Sequence, residues 1–191
     1  MGVLKSLSDR TRATTVAVLL GCCVAVCAAG PALAAPTPAQ VEAVFLFNFS
    51  QFVDWPPQAF SAPDAPIVIG VLGEDPFGAT LDEVVRGEVV KGRALIVRRF
   101  QSIETLTDCQ ILFVGRTERN RLAPTLAMLK GRSVLTVSDL EGFARDGGMI
   151  RFVLIDNKIR LRVNLEAAKA AGLTLSSKLL RPAQIVSPGE D

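Results

Sequence analysis

Between residues 67 and 163 short apolar runs alternate with helix-patterned segments, and that rhythm limits the fold more than any other feature of the chain. The first run, Ile67–Leu72 (IVIGVL), is apolar throughout, as expected of a strand covered on both faces. Gly73-Glu74-Asp75-Pro76-Phe77-Gly78 then turns the chain into a helix over residues 79–85, ended by Gly87. Residues 94–97 read as a second strand, 103–106 as a short helical turn and 111–114 as a third strand. Residues 118–129 place Leu122, Leu126 and Leu129 on one face of an amphipathic helix that Gly131 stops. A fourth strand follows at 133–137. Ser138-Asp139-Leu140-Glu141 then fits a capping box opening a short helix that ends at Gly147-Gly148.

The last third changes period. Residues 149–155 and 158–163 alternate strictly, with Ile150, Phe152 and Leu154 on one face of the first strand and Ile159, Leu161 and Val163 on one face of the second. Arg160 and Arg162 point the other way and Asp156-Asn157 supplies the turn, so the pair reads as an antiparallel hairpin with one wet face. Asn164 is placed to cap a helix over 165–171, with Gly172 as its stop. Ahead of all this lies an aromatic helix at 41–56 (VEAVFLFNFSQFVDWP), which holds four of the ten phenylalanines and the one tryptophan. On it Val41, Val44, Phe45, Phe49 and Phe52 form an apolar arc, with Asn48 inside the arc and Phe47 outside it. The expected fold is α/β: a single three-layer domain with a mixed, mainly parallel sheet, an N-terminal aromatic helix, and a C-terminal antiparallel hairpin plus helix.

Residues 1–35 read as a signal peptide and not as fold. Lys5, Arg10 and Arg12 precede an apolar run at 14–29, and Ala32-Leu33-Ala34 offers a small-x-small cleavage pattern. The run is short for a bilayer span. Leu19-Leu20-Gly21-Cys22 loosely matches a lipobox, but the apolar run continues past Cys22 and favours the ordinary cleaved signal. Removing this segment takes away three of the 21 Lys+Arg and one of the 19 Asp+Glu, leaving 18 of each. The basicity therefore belongs to the signal, and no polyanion or nucleic-acid partner is implied. Roughly 156 residues remain, enough for one domain.

Three of the four cysteines leave with the signal, so Cys109 stands alone. It precedes an apolar run and is expected to be buried, with an intermolecular bridge as the alternative. The chain has no His and no Tyr, which excludes His-based triads and His-ligated zinc. The loop at 73–78 joins a strand to a helix N-terminus, yet Glu74 and Asp75 would repel phosphate and it lacks P-loop and dinucleotide spacing. Asp82 and Glu83 are adjacent and diverge on a helix, so they are no acid–base pair. Ser138, Ser176 and Ser177 have no base to activate them. No catalytic residue, cofactor site or metal site is assigned, and a binding or regulatory role remains.

Taken in order, these motifs resemble the YfiR family of small exported bacterial proteins. The residues concerned are the 41–56 segment, Leu72-Gly73 with Asp75-Pro76-Phe77-Gly78, Gly92-Arg93, Cys109 ahead of Ile111-Leu112-Phe113-Val114, Val134 to Asp139, Gly147 to Ile150, and Val163-Asn164-Leu165. The resemblance covers residues 39–186 and implies a domain at 36–186 with a frayed tail at 187–191. It implies a periplasmic repressor that binds the periplasmic part of a YfiN-type inner-membrane diguanylate cyclase and lowers cyclic di-GMP. A YfiB-type outer-membrane lipoprotein would relieve it, and the repressor would form a homodimer. A small-ligand sensor feeding a separate histidine kinase is the alternative. The resemblance also implies a cysteine on the first strand that can pair with the position of Cys109, and this chain has none there. Two segments are expected to face a partner: the late helix region, with Glu166, Lys169, Leu173 and Leu175, and the Phe47 side of the aromatic helix. On that expectation Glu166→Lys or Leu173→Asp weakens repression without unfolding the protein.

Overall fold

All six residues of strand β2 (Ile67–Leu72) are buried, so the strand must be covered on both faces. The computed structural model that shows this describes residues 35–187 and Gly189; residues 1–34 of the signal segment expected at 1–35, and the tail residues 188, 190 and 191, lie outside the described residues. In chain order the elements are α1 (Pro38–Phe52), β1 (Val53–Asp54), β2, α2 (Ala79–Val85), β3 (Val89–Val90), β4 (Arg93–Phe100), β5 (Ile111–Val114), α3 (Leu122–Leu129), β6 (Leu135–Ser138), β7 (Ile150–Ile155), β8 (Lys158–Val163), α4 (Leu165–Ala170), β9 (Thr174–Leu175), α5 (Ser177–Leu180) and β10 (Gln184–Ile185). The main sheet has the order β10-β8-β7-β6-β5-β2-β4-β3. Its centre, β4-β2-β5-β6-β7, is parallel, while β7–β8 and β3–β4 pair antiparallel. This is the expected α/β architecture with a mixed, mainly parallel sheet and a C-terminal hairpin.

Alternation along each strand sends side chains to two cores. Ile67, Ile69 and Val71 of β2, with Ile111, Phe113, Leu135 and Val137, pack beneath α1, α2, α4 and α5. Leu72, Leu112 and Val114 pack beneath α3 and the turns around Ile103 and Phe143. Helices on one face and a turn-rich layer on the other make the three layers. A fully buried Leu46 or Phe49 contributes about 2–3 kcal/mol to this core. At the hairpin tip Asp156 and Asn157 both have positive φ, 49° and 58°, which suits a two-residue turn. Lys91 and Gly92 do the same (φ 52° and 78°) between β3 and β4, a hairpin that the sequence reading left out.

Four local expectations are corrected. Helix α1 starts earlier and ends at Phe52, because Thr37 and Gln40 form a capping box and Pro38 occupies the first turn. Its buried face is Glu42, Ala43, Leu46, Phe49 and Ser50, while Val44 is 45% exposed. The arc is rotated because Ser50 donates its hydroxyl to the Phe47 carbonyl (2.6 Å) and so enters the core without an unmet polar group. Phe45 sits at the rim, 5.9 Å from the Phe152 ring. The expected helix at 118–129 divides into a 3-10 turn over Arg116–Arg121 and α3, since Pro124 has no N–H to bond the Asn120 carbonyl. The expected helix after Ser138 is a run of turns over 141–147. Ser138 donates its hydroxyl to Val114 O (2.7 Å) and accepts from Leu140 N, and it ends β6 instead of capping a helix. Past residue 173 a two-residue strand, β9, pairs with β1 in a second small sheet. Trp55 locks the exit of α1, donating Nε1–H to the Gln110 carbonyl at 3.1 Å.

Candidate functional site

The chain leaves β2 for β4 on one side and then crosses back to β5 on the other. In a parallel sheet that reversal opens a crevice beyond the carboxyl ends of the two diverging strands, where doubly wound proteins bind ligands. A cavity of about 310 Å³ lies there. Glu74 and Pro76 come from the loop after β2, Phe113 from β5, Arg116 from the 3-10 turn after it, Asp139 from just past β6, and Thr37, Pro38, Ala39 and Glu42 from the start of α1. The loops behind it pack tightly. A Cβ on Gly115 would meet the Glu74 and Leu72 backbone, so only glycine lets the β2 and β5 exits approach so closely. Thr117 Oγ1 accepts from Glu74 N at 3.0 Å and fixes the same junction.

The electrostatics of this crevice are unusual. Glu42 is 7% exposed. Burial, and next the nearby Asp139 charge, push its carboxyl up from 4.5 to about 7, against the opposing pull of Arg116. Arg116 holds Asp139 Oδ2 at 2.7 Å, and that hydrogen bond and charge raise the guanidinium above its ordinary value. Asp139 Oδ1 is buried with no hydrogen-bond partner. Glu118, behind Gly73, is also buried with Oε2 unpaired. Both unpaired oxygens are sealed from solvent, and of the two residues only Asp139 lines the cavity.

The 73–78 loop itself is a closed turn. Asp75 Oδ1 accepts from Phe77 N (2.8 Å) and Gly78 N (3.2 Å). Arg99 ties Asp75 at 2.9 Å to Asp82 at 2.6 Å, so the N–H groups an anion would need are occupied. Arg116 and Asp139, the latter read from the sequence as part of a capping box, meet here with Glu42. No motif joins these residues because they come from three separate crossings of the sheet. The one available signal was Glu42 itself, an acid four residues before Leu46 and seven before Phe49 on the core face of a helix.

The expected partner residues fall in two environments. Glu166 and Lys169 are exposed on α4, which Asn164 caps by accepting from Ala167 N at 3.0 Å. Leu173 (3% exposed) and Leu175 (8%) belong to the main core and offer a partner no surface. Phe47 is half-buried against that core. Beside Glu166 and Lys169, the residues Ala167, Ala170 and Ala171 line a groove of about 520 Å³ together with Ala123, Leu126 and Ala127 of α3. Cys109 is buried, its thiol pushed up to about 12 chiefly by desolvation, which leaves it unreactive. Among the described residues no group of three or more His, Cys, Asp or Glu is placed to hold a metal ion, and no helix is long and apolar enough to cross a membrane.

Comparison with curated proteins returns no match. A family model described as YfiR/HmsC-like (DUF4154) matches residues 39–184, which spans the whole sheet from the first turn of α1 to β10. The chain belongs to the YfiR/HmsC-like family.

Proposed function

We propose that this protein is a periplasmic repressor that binds the periplasmic part of an inner-membrane diguanylate cyclase of the YfiN type and lowers cyclic di-GMP. Family membership over residues 39–184 is the observation that carries the reading. The exposed side of α4 supports it with a polar rim, Glu166 and Lys169, next to a groove walled by alanines. Small side chains of this kind let a partner element approach closely, and a polar rim is the usual border of a protein interface. Release by a YfiB-type lipoprotein, export through a cleaved signal at 1–35 and a homodimeric state belong to the same proposal. The test is capture of the cyclase from detergent-solubilised membranes by tagged protein, with cellular cyclic di-GMP measured alongside. Capture by the wild type and a rise in cyclic di-GMP on its deletion are expected; no capture and no rise would sink the reading.

The crevice favours a second role on the same chain, sensing a small ligand. A concave site at a topological switch point with an unmet buried acid is where such a ligand binds, and its occupancy could bias partner binding or a separate histidine kinase.

A further inference from the structure

We propose that the crevice beyond β2, β5 and β6 binds a small organic ammonium ion, a primary amine on a short apolar stem, with its N–H groups on the Glu42 carboxylate beside the Asp139 charge. The proposal rests on reading the crevice as a ligand site and is independent of which protein the chain regulates. The first argument is the imbalance of acceptors and donors. Three carboxyl groups, Glu42, Glu74 and Asp139, line the cavity against one guanidinium, Arg116. That guanidinium is already engaged on Asp139 Oδ2. Glu42 is 7% exposed and makes no hydrogen bond among the described residues. Asp139 Oδ1 is buried without a partner. A group that brings N–H donors satisfies Glu42, and the neighbouring Asp139 charge, although its Oδ1 is sealed from the cavity, favours a cation there.

The second argument excludes other ligand classes. An anion would need donors from the start of α1, but Thr37 and Gln40 satisfy each other there (2.8 and 3.3 Å) and Pro38 has no N–H. A bare divalent ion needs about six oxygen ligands, and no cluster of three acidic, His or Cys side chains is close enough to hold one among the described residues. A quaternary ammonium has the charge but no N–H for the unmet oxygens. The remaining walls, Pro38, Ala39, Pro76 and Phe113, are apolar and suit a hydrocarbon stem. The volume of about 310 Å³ lies at the lower end of the range for small-molecule sites, about 300–1,000 Å³.

Binding is then linked to protons. Glu42 is the only charged residue of α1. It shares the cavity wall with Glu74 from the loop after β2, Arg116 from the 3-10 turn after β5 and Asp139 from just past β6. Because its carboxyl is raised to about 7, the cation displaces a proton from it, and affinity rises with pH. Titration of the purified protein with n-butylamine, butyramide and butyrate by calorimetry at pH 5.5 and 8 tests this. Butylamine is expected to bind, about thirtyfold more tightly at pH 8 than at pH 5.5, with butyramide and butyrate far weaker. Glu42→Gln should abolish the pH dependence, and Asp139→Asn should weaken binding about tenfold at both pH values while the fold, followed by circular dichroism, is retained. Preferred binding of butyrate or butyramide would overturn the ammonium assignment and keep the crevice as a ligand site. Absence of binding by all three would overturn both, without bearing on capture of the cyclase.

Discussion

The two faces of the sheet are covered by different means. On one face α1, α2, α4 and α5 lay side chains from Ala43 to Leu179 into a single contiguous core. On the other, α3 is joined by 3-10 turns and by the 141–147 turns, over a smaller core that includes Phe100, Cys109, Leu112 and Phe143. Helices present apolar side chains at regular spacing, so the first face is held mainly by packing. The turn-covered face relies on particular polar atoms. Ser138 bonds β5, Thr136 Oγ1 accepts from Met149 N (3.0 Å), and Asn164 Nδ2 donates to Ala144 O (3.0 Å). Packing on one side and individual hydrogen bonds on the other predict different responses to substitution.

The largest response is expected on the helical face. Leu173→Asp puts a charge where 3% of the side chain is exposed. The loss should be on the order of 4 kcal/mol or more, since no partner is present to compensate the buried carboxylate. Urea denaturation checks it; an unchanged midpoint would mean that the core stops short of this residue. The expectation that this variant stays folded while losing its partner is thereby replaced, and Glu166 becomes the residue to test for contact.

On the turn-covered face the informative change adds a contact. A Cβ built on Gly70 lies 2.8 Å from Cys109 Sγ, 2.9 Å from the Phe100 ring and 3.0 Å from Leu112 Cδ1. Gly70→Cys should therefore bridge to Cys109. Closing a loop of this size would stabilise by about 4 kcal/mol from chain entropy, and crowding against Phe100 and Leu112 should reduce the net to about 1–3 kcal/mol. The melting temperature of this variant should fall on adding reductant, whereas the wild type, with one buried unreactive thiol among the described residues, should show no change. A reductant-sensitive wild type would reveal an intermolecular bridge.

The same contrast explains what the sequence disclosed. The β2 run, the 158–163 strand with its Asp156-Asn157 turn, and the Asn164 cap could all be read because each is a local pattern, complete within about ten residues. The turn layer could not be, since Ser138 looks like a helix cap until β5 is placed beside it and takes its hydroxyl. The crevice was equally hidden. Glu42, Glu74, Arg116 and Asp139 lie far apart in sequence, and only the strand order brings them to one edge.

Glu42 sits where the helical face meets that edge, and it predicts a pH effect of intermediate size. Its carboxyl is raised from 4.5 to about 7 in the fold, so the folded state holds this proton more tightly than the unfolded chain. The favourable contribution is complete below about pH 4.5, fades as the pH rises, and is lost once the pH passes about 7. Glu42→Gln should leave stability at pH 4.5 nearly unchanged and raise it at pH 8 by about 1–3 kcal/mol. Melting curves across that interval decide it. Parallel profiles for wild type and variant would show that the acid is solvated and ordinary.

The smallest effect on stability should accompany the largest effect on function. Glu166 is exposed on α4 and makes no ion pair among the described residues, so Glu166→Lys should change folding stability by less than about 0.5 kcal/mol. The helix start does favour the native acid there, by about 0.3–1 kcal/mol at low salt, so the measurement belongs near physiological ionic strength. If α4 and its alanine groove form the contact with a membrane partner, reversing this charge at the rim should lower capture of the cyclase and raise cyclic di-GMP while the melting curve stays in place. Full capture by a folded Glu166→Lys protein would move the contact away from α4, and the half-buried Phe47 on α1 would be the next position to change. The helical face would then carry its partner on the helix that seals it.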